Sequence, residues 1–494
     1  MARPLNVLFA SSEVDPFAKT GGLADVSSAL PQWIKDFGQE VRIITPRYGC
    51  INEREARLHE MLRLKDIEVP VGSKKFLASV KSSFLTTNHS KVQVYFIDNT
   101  HYFGRHGLYV HPDSKKDYDD NDERFTFFCR GVLEVLKRLG WAPDVIHCND
   151  WPTGLIPAYL KTVYRNDPFY RETRSIFTIH NMAYQGVFPK ASFPKTLLPP
   201  EQFSDQGVAA AGHLNFLKAG LVHADALTTV SEKYAKEIRS SEEYGCGLQS
   251  IVQERKEDLF GILNGVDYTQ WDPAVDELIP HRYDVRSIDQ KMENKKALCE
   301  KLGLPASEKT PILGIISRLA DQKGFDLIGE VFDELLAMNL QMVVLGTGEK
   351  RYHDMFEKAA KKHPEKIAVA LTFSNELAHL IEAGVDIFLM PSRYEPCGLN
   401  QIYSLRYGTV PVVRATGGLD DTIEDVNVSA GTGTGFKFKN YNSKEMLKAI
   451  HRAVNAFGDQ TLWRKLMKSG MAKDFSWGGS AKKYIQLYRS IAKR

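Results

Sequence analysis

Short apolar runs alternate with amphipathic stretches from the beginning of the chain. The apolar run at residues 5–11 predicts a strand, and the glycine-bearing loop at 19–22 leads into an apolar-periodic stretch that ends at Gly38, as a helix would. A second strand is predicted at residues 41–45. Strand, helix and strand in this order predict a βαβ unit with two parallel strands.

Similar units recur along the rest of the chain. The further predicted strands are residues 144–148, 175–179, 226–230, 312–316, 342–345, 367–373, 387–390 and 410–413. The polar stretch at 268–309 is expected to connect the two halves of this pattern. The predicted fold class is therefore α/β, with two doubly wound Rossmann-like domains that face a deep cleft. We expect the ligand in this cleft, because ligands bind beyond the carboxyl ends of parallel strands.

Composition and charge narrow the function classes. A chain of 494 residues is too long for one hydrophobic core, which favours two or three domains. Lys and Arg total 64 against 61 Asp and Glu, so charge gives no reason to expect nucleic acid or a membrane surface as a partner. No apolar run approaches the roughly 20 residues that cross a bilayer. The six scattered cysteines include no Cys-x-x-Cys pair, and with no signal-peptide pattern at the N-terminus we expect a reducing, cytoplasmic location.

A glycine-rich loop lies between the first predicted strand and its helix. Lys19 precedes the pair Gly21 and Gly22, where bare backbone and a helix N-terminus can meet an anion and the lysine adds a charge. The alternative is a plain turn. The loop matches neither Gly-x-Gly-x-x-Gly nor a Walker loop, which argues against a nicotinamide or P-loop enzyme.

Two cations stand at the matching place in the second half. Arg318 and Lys323 follow the predicted strand 312–316, and a glycine opens the next helix. A diphosphate suits this loop, because fixed cations stabilise the charge that develops on the leaving oxygens of a sugar diphosphate. Solvated surface cations are the alternative.

Glu395 follows the predicted strand 387–390 and precedes a helix. A carboxylate there accepts from sugar hydroxyls, while the N–H groups of Cys397, Gly398 and Leu399 bind their oxygens. The alternative is a helix-capping acid. Nothing in the sequence favours Cys397 as a nucleophile.

Two further loops are candidate ligand sites. Thr416 and the glycine pair that includes Gly418 lead into Leu419, another arrangement whose backbone N–H groups can meet a phosphate or form a plain turn. His180 and Asn181 end the strand 175–179, where the histidine is either structural or functional.

The acidic stretch before residue 123 was a possible metal site. Its carboxylates are Asp117, Asp119, Asp120 and Asp122, and no apolar strand precedes them. We interpret them as a solvated loop and helix start, and we predict no metal site.

Taken together and in order, these motifs are highly specific. They are KTGGLADV at 19–26, HCNDW at 147–151, TIHN at 178–181, LNFLKAG at 214–220, YGCGL at 244–248, ILNG at 262–265, SRL at 317–319, DQKG at 321–324 and PSRYEPCGL at 391–399. Through them the chain resembles the glycogen and starch synthases of bacteria and plants, from Val7 to about Tyr488.

The resemblance implies the glycosyltransferase fold called GT-B. It implies an N-terminal Rossmann-like domain at 1–260 on the acceptor side, a nucleotide-sugar domain at 261–477, and a C-terminal helix at 478–494 that joins the first domain. It also implies that glucose passes with retention, without metal or cofactor, from ADP-glucose to the non-reducing 4-hydroxyl end of an α-1,4-glucan.

The same resemblance assigns roles to individual residues. Arg318 and Lys323 would hold the donor diphosphate, with help from the backbone at Gly22, Gly418 and Leu419. The residues expected to grip glucose are Glu395, His180, Asn181 and Asn264. Lys19 and Asp25 would shape the donor site, and Phe373 would stack on the base where the family commonly has a tyrosine.

The sequence leaves other functions to be distinguished from glucan synthesis. UDP-glucose as donor stays open, and so do another retaining GT-B transferase of the sucrose or trehalose type and a glycan-binding protein that has lost catalysis. The long matches in the first half argue against a different transferase, and Arg318, Lys323 and Glu395 together argue against lost catalysis. The missing dinucleotide fingerprint excludes a doubly wound dehydrogenase.

Overall fold

A computed structural model describes residues 3–86 and 91–493. The predicted domain limits at residues 1 and 494 lie outside this range. By contact the chain forms two compact units: the first runs to Val230 and includes Ala235–Gly265 and the chain from Trp477 onward, and the second comprises Ser231–Tyr234 and Val266–Ser476.

Strands and helices alternate in both units. The strands are β1 (Asn6–Ala10), β2 (Glu40–Pro46), β3 (His59–Glu60), β4 (Ile67–Val71), β5 (Lys74–Thr86), β6 (Lys91–Asp98), β7 (Val145–Asn149), β8 (Arg174–Ile179), β9 (Val187–Phe188), β10 (Ala209–Ala210), β11 (His213–Asn215), β12 (Ala226–Thr229), β13 (Leu259–Gly261), β14 (Ile312–Ile316), β15 (Gln341–Leu345), β16 (Ile367–Ala370), β17 (Ile387–Met390), β18 (Val410–Arg414) and β19 (Phe436–Phe438). The helices are α1 (Gly22–Asp36), α2 (Thr100–Phe103), α3 (Asn121–Leu139), α4 (Leu155–Lys161), α5 (Phe193–Thr196), α6 (Phe216–His223), α7 (Glu232–Glu237), α8 (Glu242–Gly245), α9 (Gln249–Glu254), α10 (Lys291–Leu302), α11 (Phe325–Glu330), α12 (Phe332–Ala337), α13 (Lys350–Lys362), α14 (Asn375–Gly384), α15 (Asn400–Arg406), α16 (Gly417–Thr422), α17 (Ser443–Gly458), α18 (Gln460–Met471) and α19 (Trp477–Ile491). Turns of 3-10 helix lie at Leu62–Leu64, Trp151–Thr153, Pro168–Tyr170, Lys190–Ser192, Pro200–Gln202, Ile288–Gln290 and Asp321–Lys323.

The first unit has a mixed sheet. Its strand order is β13-β12-β8-β7-β1-β2-β6-β5-β3, with β4 also paired to β5. The strands from β13 to β6 are parallel, whereas β5 is antiparallel to β6 and to both β3 and β4. The antiparallel edge was not predicted. A small separate sheet joins β9, β10 and β11.

The sheet of the second unit is parallel, in the order β16-β15-β14-β17-β18-β19. Alternate residues of its strands enter different hydrophobic clusters: Met342 and Val344 pack with helices α11, α12, α13, α17 and α18, and Val343 and Leu345 pack with α10 and α14. Because successive side chains point to opposite faces, helices cover both faces, and the doubly wound α/β prediction is confirmed.

Two local predictions in the second unit need correction. Strand β16 ends at Ala370, not at residue 373, because its neighbour β15 ends at Leu345, the residue in register with Ala370. The connecting stretch predicted at 268–309 contains the helix α10.

The last helix, α19, belongs to the first unit and packs against α1. Its buried residues recur at helical spacing and include Trp477, Tyr484 and Tyr488. The Tyr488 hydroxyl lies 2.7 Å from Nδ1 of His147 on β7, so the helix is tied to the central sheet by a buried hydrogen bond. Within residues 3–86 and 91–493, no helix combines the length and apolarity that a bilayer crossing requires.

Candidate active site

A cavity of about 170 Å³ opens at the carboxyl ends of β14 and β17 in the second unit. Parallel strands leave such an opening where the loops after neighbouring strands diverge. The residues that line it are Ile315, Ile316, Ser317, Arg318, Lys323, Phe325, Leu389, Met390, Pro391, Ser392, Glu395, Gly398, Leu399 and Asn400. Five of the predicted site residues, Arg318, Lys323, Glu395, Gly398 and Leu399, therefore share one cavity.

Lys323 and Glu395 form an ion pair across this cavity. Lys323 Nζ donates to Glu395 Oε2 at 2.6 Å, and Ser392 Oγ donates to the same oxygen at 3.0 Å. Glu395 is 6% exposed, so the pair is largely shielded from solvent. Oε1 of Glu395 accepts no hydrogen bond from any described residue and stays available as an acceptor at the cavity wall.

Arg318 is the second cation of the cavity. It is exposed, and its guanidinium forms no ion pair with any residue in the described part of the chain. Its loop continues into the turn Asp321–Lys323, which Gly324 closes with φ of +79°. A Cβ on Gly324 would lie 2.2 Å from the Pro391 carbonyl oxygen, so only glycine lets this turn approach the loop after β17.

The loop after β18 packs directly against the Glu395 loop. A Cβ on Gly417 would lie 1.9 Å from the Glu395 carbonyl oxygen, and one on Gly418 would lie 1.9 Å from the Cys397 carbonyl oxygen. The Gly418 N–H donates to the carbonyls of Glu395 and Pro396. This glycine pair is therefore required by backbone-to-backbone packing, which the sequence did not reveal.

The same contacts bear on the predicted phosphate donors. The Gly418 N–H is already hydrogen-bonded, and the Leu419 N–H donates to the Thr416 carbonyl at 3.1 Å. In this conformation neither is a free donor, because protein carbonyls occupy both; this corrects the picture of bare N–H groups. Cys397 is 6% exposed, so its side chain is buried in the wall of the cavity loop.

Phe373 lies apart from this cavity's lining. It is 87% exposed and stands three residues beyond β16, just before Ser374, whose side chain caps helix α14. Stacking of Phe373 on a base stays a prediction.

In the first unit, the Lys19 to Gly22 loop encloses a carboxylate that sequence reasoning missed. Glu13, 4% exposed, accepts from the Thr20 N–H at 2.6 Å, the Thr20 hydroxyl at 2.7 Å and the Gly21 N–H at 3.2 Å. The N-terminal side of α1 therefore already holds an internal anion. Around Gly22 a Cβ would meet nothing within 4 Å, so its backbone faces open space.

Lys19 is paired rather than free. Its Nζ lies 2.5 Å from Asp25 Oδ1 and 3.9 Å from Asp15 Oδ1. Desolvation raises the pKa of Asp25, although the Lys19 hydrogen bond and charge act in the opposite direction. The two residues predicted to shape the donor site thus contact each other.

His180 and Asn181 follow β8 and share one buried carboxylate. The His180 N–H donates to Asp150 Oδ1 at 2.7 Å, and the Asn181 backbone N–H also stabilises that carboxylate. Burial nevertheless raises the pKa of Asp150 to about 7. Asp150 has φ of +54°, a conformation that is uncommon outside glycine. Asp150 belongs to the HCNDW motif, but the sequence alone indicated no function for this residue.

The His180 side chain is held by a neighbour. Its Nε2 lies 2.9 Å from Oδ1 of Asn149, and burial lowers the pKa of the imidazole to about 3. Asn264, elsewhere in the first unit, is 7% exposed, and its Oδ1 is buried without a hydrogen-bond partner among the described residues. Such an oxygen is a candidate acceptor for a hydrogen bond from a ligand.

The acidic stretch is in part the solvated loop and helix start that the sequence predicts, because Asp117 and Asp119 are exposed and α3 begins at Asn121. Two of its carboxylates differ from that prediction. Asp120 forms an ion pair with Arg105 at 2.5 Å, and Asp122, 3% exposed, pairs with Lys195 at 2.8 Å. Both carboxylates at the start of α3 are therefore paired with cations rather than fully solvated. In the described ranges, no group of three or more His, Cys, Asp or Glu side chains is arranged to hold a metal ion.

Comparison with known proteins agrees with this architecture over both units. Residues 6–254 match a family model described as the starch synthase catalytic domain, and residues 300–461 match one described as glycosyl transferases group 1.

Similar proteins include two bacterial glycogen synthases. The glycogen synthase of Desulforudis audaxviator is 46% identical, covering 100% of this chain and 97% of its own length. That of Koribacter versatilis is 46% identical, with 98% of each chain covered.

A solved structure is also similar: the catalytic domain of starch synthase IV from Arabidopsis thaliana bound to ADP and acarbose. It superposes with a TM-score of 0.89 at 31% identity, covering 99% of this chain and 100% of its own. From its sequence motifs, its α/β architecture and these matches, the chain belongs to the glycogen and starch synthase family of glycosyltransferases, with the GT-B fold.

Proposed function

We propose that this protein transfers glucose, with retention of anomeric configuration, from ADP-glucose to the 4-hydroxyl at the non-reducing end of an α-1,4-glucan. The observation that carries the proposal is the second-unit cavity. There Arg318, which forms no ion pair with the described residues, and the Lys323–Glu395 pair meet at the ends of parallel strands. Family membership limits the substrates to a nucleotide-sugar and a glucan.

The two cations suit the leaving group. When the bond between the sugar C1 and the phosphate oxygen breaks, negative charge grows on the diphosphate. Arg318 supplies a positive charge that no described carboxylate neutralises, and Lys323 supplies a second one that is held by Glu395 at 2.6 Å. Charges fixed in advance stabilise the transition state without reorganisation at the moment of reaction.

Glu395 supplies an acceptor for the sugar. Its Oε2 is engaged by Lys323 and Ser392, which fixes the carboxylate, and Oε1 remains available for a hydroxyl. The roles of His180, Asn181, Asn264, Lys19, Gly22 and Asp25 in holding donor glucose, and of Phe373 at the base, rest on the family resemblance. The buried acceptor Oδ1 of Asn264 supports its assignment.

Retention follows if the acceptor hydroxyl attacks C1 on the face that the diphosphate leaves. The new bond joins C1 to the acceptor oxygen, the C1–phosphate bond breaks, and the hydroxyl proton passes to a phosphate oxygen. In this scheme the leaving phosphate is the base, so a pair of carboxylates on opposite faces of the sugar is not needed.

The choice of ADP-glucose is supported by the ADP bound in the similar starch synthase IV structure. The deciding experiment measures release of nucleoside diphosphate from ADP-glucose and from UDP-glucose, each with and without glycogen. We expect glycogen-dependent release with ADP-glucose at the higher kcat/KM, an α-linked product by NMR, and full activity in excess EDTA. A higher kcat/KM with UDP-glucose would show that UDP-glucose, not ADP-glucose, is the donor. Release of nucleoside diphosphate without any glucan would refute the proposed transfer to glucan.

A further inference from the structure

Neighbouring atoms determine which ring nitrogen of His180 carries the proton. Asn149, fully buried at the end of β7, directs its Nδ2 toward two backbone carbonyls, those of Ala10 at 3.0 Å and His147 at 3.3 Å. Only the amide nitrogen can donate to carbonyl oxygens, and an inverted amide would place oxygen against oxygen. The Asn149 Oδ1 must therefore be the atom that faces His180.

This orientation decides the tautomer of the imidazole. Nε2 of His180 lies 2.9 Å from Asn149 Oδ1, which has no proton to give, so Nε2 must carry one. Burial lowers the pKa of His180 to about 3, so the ring is neutral near pH 7 and has a single N–H. Nδ1 is then a bare lone pair, and it makes no hydrogen bond with any described residue.

The backbone of His180 is fixed as well. Its N–H donates to Asp150 Oδ1 at 2.7 Å, and Asp150 N–H donates to the Thr178 carbonyl at 3.0 Å. Two titratable groups interact with His180: His147 on β7, whose pKa burial lowers to about 3, and Asp150, which accepts from the His180 N–H and lies in the field of Glu13. The main chain of His180 is thus held by Asp150, and its side chain by the adjacent residue Asn149 at the end of β7.

We propose that Asn149 is a positioning residue that keeps the His180 proton on Nε2, so that Nδ1 acts as a hydrogen-bond acceptor for a hydroxyl of the donor sugar. The proposal rests on the proposed function for the identity of the ligand. An imidazole with the proton on Nδ1, or an imidazolium, would instead donate to the hydroxyl oxygen, and the hydroxyl hydrogen would then lack its acceptor on His180.

The first test is made on the parent protein, and a His180→Gln variant serves only to assign the signals. In protein labelled with ¹⁵N-histidine, long-range ¹H–¹⁵N NMR spectra distinguish protonated from bare ring nitrogens, and the His180 signals are those lost in His180→Gln. We expect bare Nδ1 and protonated Nε2 from pH 6 to 8. A proton on Nδ1 in that range would overturn the inference.

The second test changes the charge beside Nε2. In Asn149→Asp a carboxylate facing Nε2 stabilises the imidazolium, so the pH at which Nδ1 gains a proton should rise by about one to three units. The kcat/KM of the variant should fall over the same pH range as Nδ1 becomes a donor. Asn294→Asp is the matched control: it makes the same change at a fully buried asparagine of the second unit, whose amide exchanges hydrogen bonds with His281 backbone.

The control should leave the His180 titration as in the parent protein. An unchanged titration in folded Asn149→Asp would refute a role for Asn149. If that variant does not fold, Asn149→Ala tests the same point, because loss of the acceptor at Nε2 should make the Nδ1–H tautomer detectable; a ring that stays wholly Nε2–H would count against the inference. The NMR result is independent of the reaction, so an enzyme that releases no nucleoside diphosphate would refute the proposed function alone.

Discussion

Replacement of Lys323 by alanine tests the diphosphate assignment and separates catalysis from stability. Lys323 Nζ is 2.6 Å from Glu395 Oε2, and the two side chains are 23% and 8% exposed. Removal of the lysine leaves a buried carboxylate whose remaining donor, among residues 3–86 and 91–493, is the Ser392 hydroxyl. An uncompensated buried charge of this kind costs about 3 kcal/mol of unfolding free energy.

Catalysis should fall for a different reason. Loss of one preorganised charge partner at the leaving group costs about 3 kcal/mol of activation free energy, or roughly 100-fold in turnover. The double variant Lys323→Ala with Glu395→Gln removes the orphan charge. It should therefore recover most of the lost stability and none of the lost turnover.

The assay combines two measurements on each variant. Urea unfolding gives the free energy of unfolding, and nucleoside diphosphate release at saturating donor and glucan gives kcat. A folded Lys323→Ala protein with parental kcat would refute the role of Lys323 at the diphosphate. Recovery of kcat in the double variant would show that the single variant failed only through its stranded carboxylate.

Arg318→Ala should lower kcat by about 100-fold. The free energy of unfolding should change by less than about 0.5 kcal/mol, because the exposed guanidinium forms no ion pair with the described residues. A loss of stability equal to that of Lys323→Ala would contradict the second expectation. Gly418→Ala should destabilise the protein by more than about 3 kcal/mol in urea unfolding, since its Cβ would lie 1.9 Å from the Cys397 carbonyl oxygen; parental stability would show that the two loops can separate. The pKa of Asp150 is about 7 in the folded protein, whereas that of an unfolded aspartate is about 3.9. Between these pH values the native state binds more protons than the unfolded state. The free energy of unfolding should therefore fall as pH rises, by about 4 kcal/mol in total. Asp150→Asn should lack this slope when both proteins are unfolded in urea at a series of pH values, and parallel profiles would refute it.

The sequence by itself determined the features that depend on local patterns. Strands β14 and β17 have the predicted bounds, Ile312–Ile316 and Ile387–Met390, because a fully buried parallel strand is a short apolar run with polar or turn residues on both sides. Since the carboxyl ends of parallel strands share one edge, the loops that carry Arg318 and Glu395 were expected near each other, and both residues line the one cavity.

Features that depend on residues far apart in the sequence were decided by the tertiary structure alone. Strand β16 ends where its neighbour β15 ends, so the apolar character of Leu371 and Phe373 misled the prediction. The Lys323–Glu395 pair joins residues 72 positions apart, and no spacing rule foretells it. Gly417 and Gly418 resembled a phosphate loop because close approach to a ligand and close approach to another backbone both require glycine.

The same distinction explains the first unit. The HCNDW and TIHN motifs mark Asn149 and His180 as residues at strand ends, which local sequence suffices to show. Which atom of Asn149 faces the imidazole depends on the Ala10 carbonyl of a strand 139 residues earlier. A hydrogen bond's direction is a property of atoms brought together by sheet pairing, and it therefore becomes visible only in the folded chain.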